Sequence, residues 1–370
     1  MKWLGADHRF MSRALQLAER GRYSAHPNPR VGCVLVRDDK ILAEAWHEYT
    51  GGPHAEVNAI NQANQPVAGA TCYVTLEPCS HSGRTPPCVD SLIRAHIAKV
   101  IAAMPDPNPL VAGQGLSKLE QAGIATAVGL LESEARAINR GYIKRMTRQR
   151  PFVRCKLAMS LDGRTALENG QSKWITGPQA RMDVQRLRAQ SSAVMTGIGT
   201  LLADDPALDV RESALTDRQP LRVIIDPQLK FPTDAKMLHC AGRSLVFTAN
   251  HDKAAQAVVS DAGAEVIMIE STEAGFLQAV LQYLAEVEEC NEILLEGGAK
   301  LAGSMLTAGL IDELILYQAA ILMGDSATGL FHLPALQTMD EKIELELIDT
   351  RHVGKDLRHT LKVKRKADAA

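Results

Sequence analysis

Four residues have types and spacings that could do chemistry. His54 and Glu56 stand two apart in HAEVNAI, residues 54–60, and Cys79 and Cys88 flank a basic, proline-containing loop in EPCSHSGRTPPC, residues 77–88. Core packing has no use for that set, but a metal does. Zn²⁺ accepts imidazole nitrogen and thiolate in a tetrahedral shell, and a catalytic zinc keeps one position for water. One His and two Cys leave that position. Glu56, near the start of a helix, need not be a ligand. Its carboxylate can take a proton from water activated by the metal and hand it to a substrate. Two blander readings compete. The cysteines could be ordinary core thiols, or the zinc could be structural, with His81 as its fourth ligand. Neither gives Glu56 a task.

The surrounding pattern shows what must position these residues. Asp7–Arg20 carries a helical stripe of Phe10, Met11, Ala14, Leu15, Leu17 and Ala18, stopped by Gly21. Val31–Val36 and Ile41–Trp46 read as hairpin strands turning at Asp38–Asp39. HAEVNAINQA reads as a helix opened by Pro53. Thr71–Leu76 is a strand, Cys88–Ala95 a helix, Lys99–Ala103 a strand, and PDPNP a run of turns. Gly115–Ala122 and Glu132–Arg145 read as helices. The result is an α/β domain on a mixed sheet.

The polar stretch TRQRP, Thr147–Pro151, marks a boundary, giving domains 1–148 and 149–370. Beyond it, strands at Phe152–Ala158, Ala193–Gly197, Leu221–Asp226, Ser244–Thr248, Glu265–Ile269 and Glu292–Leu295 predict a second, mostly parallel sheet. Gly177–Gln190 reads as a helix and SLDGR, residues 160–164, as a turn. No G-x-G-x-x-G is present. In LLEGGAKLAGSML an apolar strand runs into Gly297–Gly298 and a new helix. That geometry suits a phosphate as well as it suits a tight packing turn.

Composition bounds the rest. With 370 residues, two domains are the default. An apolar fraction of 46% with 23% charged residues is an ordinary globular mix. A net charge of -2 argues against a broad nucleic-acid surface. Seven cysteines, an odd number in a long chain, suit a reducing compartment. The charged N-terminus has no signal-peptide core, and no run of 18 apolar residues predicts a membrane span. A cytoplasmic enzyme fits, as does a cytoplasmic binding protein.

H-x-E with P-C downstream is the pattern of zinc-dependent nucleobase deaminases. More of the chain narrows this. DHRFMSRALQLA, HPNPRVGCVLV, GGPHAE, TLEPCSHSGRTPPC and PDPNP, then KLAMSLDGRTA, WITG, LLADDPAL and LLEGGAKLAGS, resemble the RibD family, the bifunctional deaminase–reductases of bacterial riboflavin biosynthesis. The resemblance covers nearly the whole chain. General cytidine and tRNA-adenosine deaminases space their cysteines more closely.

The resemblance implies an α/β architecture with an N-terminal cytidine-deaminase-like domain and a C-terminal dihydrofolate-reductase-like domain. It implies that His54, Cys79 and Cys88 bind Zn²⁺, that Glu56 shuttles the proton, and that Asn28 positions a pyrimidine. Asn28 could equally be a turn residue between prolines. His47 and His81 could line the pocket or be polar surface, and Arg84 could meet a phosphate or only solvent. In the second half the resemblance assigns NADPH to Ala158, Trp174, Thr200, Asp204 and the run Gly297, Gly298, Ala299, Lys300, Leu301, Ala302, Gly303 and Ser304. Trp174 read alone could be a core anchor, and Asp204 part of a helix stop. Substrate contacts fall on Ser172, Arg188, Leu208, Arg211 and Glu296. Lys156 and Asp162 are candidates for polarising the sugar or donating a proton.

The implied activity is two steps on a small pyrimidine ribotide. A zinc-dependent hydrolytic deamination of 2,5-diamino-6-(5-phosphoribosylamino)pyrimidin-4(3H)-one comes first. Reduction by NADPH of the ribosyl group of 5-amino-6-(5-phosphoribosylamino)uracil to ribityl follows, without flavin. No nucleic-acid or membrane partner is expected, and a homo-oligomer is left open. Two rivals are a monofunctional deaminase whose second domain only binds nucleotide, and a non-catalytic zinc module for nucleic acid. A nucleic-acid-editing deaminase is disfavoured by the cysteine spacing.

Overall fold

The structure, a computed structural model, describes residues 3–80, 87–109 and 111–364. The chain forms two compact units, Met1–Arg150 and Pro151–Ala370.

The first unit runs α1 (Gly5–Ala18), β1 (Gly32–Arg37), β2 (Lys40–Trp46), α2 (Ala55–Gln62), β3 (Thr71–Val74), α3 (Cys88–Arg94), β4 (Lys99–Ala102), α4 (Gln114–Gln121), β5 (Ala125–Val128), α5 (Glu132–Ile138) and α6 (Arg140–Arg148). Its sheet has the order β2-β1-β3-β4-β5. β1 is antiparallel to β2 and β3, while β3, β4 and β5 are parallel, so the sheet is mixed as expected. The hairpin turns on Asp38 and Asp39, both left-handed at φ 51° and 56°. That is the type I′ turn whose twist matches two short strands.

The α1 stripe is buried in full. It lies so close to β1 that a Cβ on Gly32 would sit 2.0 Å from the Ala14 carbonyl oxygen and 2.7 Å from the Ala18 nitrogen. Gly32→Ala must push the helix off the sheet. The expected cost is about 1–3 kcal/mol, read as a lower thermal midpoint for the first unit.

The expected helix over Glu132–Arg145 is broken. At Asn139 the backbone leaves the helix (φ -109°, ψ 20°), separating α5 from α6. Asn139 is buried. Its Oδ1 accepts from the Arg30 N–H at 2.8 Å, and its Nδ2 donates to the Arg30 carbonyl at 2.9 Å. The amide thus acts as a one-residue strand partner for the HPNPRVG loop. Helical periodicity gives no hint of a partner that far away.

The second unit runs β6 (Phe152–Met159), β7 (Arg164–Ala166), α7 (Pro178–Gln190), β8 (Ala193–Gly197), α8 (Ile198–Asp204), β9 (Leu221–Ile225), β10 (Ser244–Thr248), α9 (Lys253–Asp261), β11 (Glu265–Met268), α10 (Glu273–Glu286), β12 (Glu292–Leu295), α11 (Ala299–Thr307), β13 (Glu313–Gln318), β14 (Thr328–Gly329), β15 (Leu345–Val353) and β16 (Asp356–Val363). The main sheet has nine strands in the order β11-β10-β9-β8-β12-β6-β13-β16-β15. From β11 to β13 every pairing is parallel. β16 and β15 then add an antiparallel edge that the sequence pattern did not predict. Alternate residues face two covered sides. Val223 and Ile225 pack with α10 and α11, and Ile224 with α7. Helices on both faces are what a parallel sheet requires.

Candidate functional site

In the first unit three elements deliver three ligand atoms to one point. His54 is the N-cap of α2, and its extended backbone (φ -72°, ψ 164°) turns the side chain off the helix end. Cys79 follows β3, and Cys88 is the first residue of α3. His54 Nδ1 lies 3.0 Å from Cys88 Sγ and 3.5 Å from Cys79 Sγ. All three ligand atoms fall within 4.8 Å of one another. The Cys88 N–H also donates to Cys79 Sγ at 3.3 Å. A hydrogen bond from Cys88 holds Cys79 well below the usual thiol range, while facing Cys79 pushes Cys88 up. A nitrogen and two sulfurs converging in this way suit zinc, with room for a fourth ligand.

Glu56 sits beside this cluster and is 3% exposed. Burial pushes its carboxyl up, and Cys88 is its hydrogen-bonding neighbour. It is not one of the three converging ligands. A carboxyl whose charged form is disfavoured, next to a metal centre, is placed to hold and return a proton.

His47 is buried and is not polar surface. Its Nδ1 faces the Pro53 carbonyl at 3.1 Å, and its Nε2 faces Asn28 Nδ2 at 3.0 Å. A carbonyl only accepts, so Nδ1 carries the proton and Nε2 accepts from the Asn28 amide. Burial lowers the His47 pKa, in keeping with this neutral form. The His47 ring meets His54 edge-on at 5.4 Å. Asn28 is therefore oriented through a histidine that meets His54 edge-on. His81 and Arg84 lie outside the described residues.

Sequence reasoning missed two buried groups here. Asn139 braces the loop that carries Asn28. Glu77, two residues before Cys79, accepts four backbone N–H bonds, from Asp106, Gly113, Gly115 and Leu116. A glutamate in a Pro- and Ser-rich stretch reads as exposed loop, and its true partners lie 29–39 residues downstream, beyond α3 and β4.

In the second unit the expected residues gather where parallel strands end, the usual ligand side of such sheets. Ala158 and Lys156 lie on β6. Thr200 and Asp204 lie on α8, which follows β8. Glu296, Gly297 and Gly298 link β12 to α11. The Gly298 N–H donates to Thr200 Oγ1 at 3.1 Å, tying the two turns together. Ala299, Lys300 and Leu301 form the first turn of α11, where N–H groups are free for an anion. Ala302 and Gly303 face the core, where a Cβ on Gly303 would sit 2.0 Å from the His332 carbonyl oxygen. Ser304 is exposed.

Trp174 is 71% exposed, with the Arg181 guanidinium 4.5 Å from its ring centre, so it is no core anchor. Asp204 pairs with Lys173 at 3.0 Å. Ser172 is half-buried, two residues before Trp174.

Arg188 is already engaged. It binds Glu296 through two nitrogens, at 2.6 and 3.1 Å, and donates to the Asp209 carbonyl at 2.9 Å. Arg188 is the main charge holding the Glu296 carboxyl below its usual range against burial. Arg211 has an exposed side chain, and its backbone N–H is fixed by Gln185 at 2.8 Å. Leu208 is 2% exposed and belongs to the core, so only its backbone, held left-handed at φ 51°, is available to a ligand.

Lys156 is half-buried with its amine 5.9 Å from the Tyr317 ring centre. Burial lowers its pKa, and Glu296 opposes that shift. Asp162 braces a loop. Its carboxylate accepts from the Met323 and Gly324 N–H groups, and the Ser160 hydroxyl is the leading cause of a pKa of about 2. It has no proton to donate near neutrality.

Residues 4–104 match the cytidine and deoxycytidylate deaminase zinc-binding region, and residues 151–358 match the RibD C-terminal domain. The riboflavin biosynthesis protein RibD of Escherichia coli strain K12 is 45% identical over 362 residues, covering 95% of this chain and 98% of that protein. The chain belongs to the RibD family. A solved RibD structure from Acinetobacter baumannii is 42% identical with a TM-score of 0.90, covering 97% of this chain and 99% of that one. A diaminohydroxyphosphoribosylaminopyrimidine deaminase/5-amino-6-(5-phosphoribosylamino)uracil reductase from Thermotoga maritima is 33% identical with a TM-score of 0.85, covering 97% and 99%. RibD proteins are bifunctional enzymes of riboflavin biosynthesis, joining a zinc-dependent deaminase to an NADPH-dependent reductase of dihydrofolate-reductase-like fold, and this chain carries both domains. Nothing favours the reading of a deaminase alone. Among the described residues, no helix is long and apolar enough to cross a membrane.

Proposed function

We propose that residues 1–148 hydrolyse the ring amine of 2,5-diamino-6-(5-phosphoribosylamino)pyrimidin-4(3H)-one, and that residues 149–370 reduce the resulting 5-amino-6-(5-phosphoribosylamino)uracil. The observation that carries the first half is the meeting of His54, Cys79 and Cys88 within 4.8 Å beside a buried Glu56. Zinc held there would supply the Lewis acidity that makes water a nucleophile at neutral pH. Glu56 takes a proton from the attacking water and gives it to the ring nitrogen. It then helps the amine leave as ammonia, so that water and amine become carbonyl and ammonia. Asn28, oriented by His47, offers a donor and an acceptor to the pyrimidine edge.

In the second half NADPH, when bound, would supply the hydride for C1′ of the open-chain imine. The turn Gly297–Gly298 and the start of α11 would hold the cofactor phosphates, with Trp174, Thr200, Asp204 and Ala158 as further contacts. Lys156 polarises the sugar and supplies the matching proton, so that hydride and proton convert the imine to the amine. Glu296, ionised against Arg188, keeps positive charge on Lys156 favourable. Arg211 offers an exposed guanidinium, with Asp209 Oδ1 3.9 Å from its Nε, to the ribotide phosphate.

All seven cysteines are free, which supports a cytoplasmic setting. β15 lies at the sheet edge with exposed Leu347 and Ile348, a surface that a second copy of the chain would cover. Light scattering across concentration checks that point.

The functional test supplies the diaminopyrimidine ribotide with and without NADPH. Ammonia release and NADPH oxidation are recorded separately. The reading expects ammonia without NADPH, and oxidation only after deamination. Neither signal from a zinc-loaded protein would overturn it.

A further inference from the structure

Glu77 has no part in the roles assigned above. It is 4% exposed, and among the described residues no cation pairs with it. A buried carboxylate is costly unless hydrogen bonds replace its water. Four backbone N–H groups do so. Asp106 and Gly113 donate to Oε2, each at 3.0 Å, and Gly115 at 2.9 Å and Leu116 at 3.3 Å donate to Oε1. Its own N–H donates to the Met104 carbonyl at 3.0 Å. Converging N–H groups of this kind hold an anion strongly.

The bonds join two segments. One is the turn-rich stretch after β4 and the start of α4. The other is Glu77-Pro78-Cys79, which ends in a metal-binding thiol. A second contact acts on the same peptide. A Cβ on Gly115 would sit 2.0 Å from the Pro78 carbonyl oxygen, so the start of α4 presses directly on the residue before Cys79.

We infer that Glu77 is a positioning residue for the metal centre. By fixing the Glu77–Pro78 peptide against the start of α4, it sets where Cys79 presents its sulfur to His54 and Cys88. The inference rests on reading those three residues as zinc ligands. A carboxylate is needed because each oxygen meets two N–H groups. The amide of Gln would turn one pair of acceptor bonds into donor facing donor. The side chain also acts before any substrate arrives, so its effect is on the metal first and on deamination through the metal.

The experiment uses the full chain loaded with zinc, and separately with Co²⁺, whose visible bands report thiolate geometry. Zinc release to a chelator, the cobalt spectrum and the thermal midpoint are measured for wild type, Glu77→Gln, Glu77→Asp and Leu119→Ala. Leu119 is a fully buried residue of α4, and its truncation loosens the same helix without touching Glu77. Glu77→Gln is expected to release zinc about 10-fold to 100-fold faster, as loss of an outer support does at metal sites. Its cobalt bands should shift, and Glu77→Asp, which keeps the charge, should fall between it and wild type. Leu119→Ala should keep wild-type release and bands despite a lower midpoint. Wild-type release from Glu77→Gln overturns the inference, as does equally fast release from Leu119→Ala. If Glu77→Gln does not fold, Glu77→Asp against Leu119→Ala decides on the same terms. A wild type that holds no zinc overturns the ligand reading beneath it.

Discussion

Glu56→Gln keeps its zinc and loses deamination by about 100-fold to 10,000-fold, the range ascribed to a positioned general acid–base group. Three other residues, His54, Cys79 and Cys88, bring the ligand atoms together, so the proposed metal shell does not depend on this carboxylate. The side chain is almost wholly buried, and Gln matches its shape, so packing is conserved. What is lost is the ability to carry a proton. Burial raises the Glu56 pKa, which suits a group that must hold a proton between taking it from water and returning it. The measurement pairs zinc content with ammonia release. NADPH oxidation with the deaminated intermediate serves as an internal reference and should not change. A zinc-loaded Gln variant that deaminates at the wild-type rate would sink the assignment.

Lys156→Met has the mirror-image outcome. Ammonia release continues, and NADPH oxidation falls by about 100-fold to 10,000-fold. Met retains the apolar stem against Tyr317 and removes the charge. The pH profile provides the sharper check. Burial lowers the Lys156 pKa, with Glu296 acting against it. If the protonated amine is the working form, reduction falls as pH rises through a value below that of free lysine. The Met variant should be slow at all pH values and lack that alkaline limb. An unchanged limb in Lys156→Met assigns the titration to another group and removes Lys156 from the reaction.

The convergence of His54, Cys79 and Cys88 was legible because chemistry restricts residue type. Only a few side chains bind zinc, and His54, Cys79 and Cys88 stand out against any packing pattern. The α1 stripe and the Asp38–Asp39 turn were legible because helix period and left-handed backbone are local. Other features were not. Asn139 breaks a helix for a partner in the HPNPRVG loop, and Glu77 reads as loop while being buried. Leu208 lies in the core with a left-handed backbone that its residue type does not announce. Arg188 pairs with Glu296, a contact across 108 positions that its surroundings in sequence do not announce. The edge pair β15–β16 escaped because LELIDTRHV lacks a clean apolar alternation. For Asn139, Glu77 and Arg188 the deciding partner is remote in sequence.

The bond pair between Asn139 and Arg30 spans 109 positions. During synthesis the HPNPRVG loop emerges early and has no brace until residue 139 has followed it out. All the proposed metal ligands are made before then, yet the Asn28 loop beside them is still unfastened. No shorter piece of the first unit that stops at the last cysteine contains a finished pocket. The deaminase half is therefore indivisible in a way its compact motif conceals: transplanting HAE and PC…C into another scaffold would carry the chemistry and leave behind the fastening.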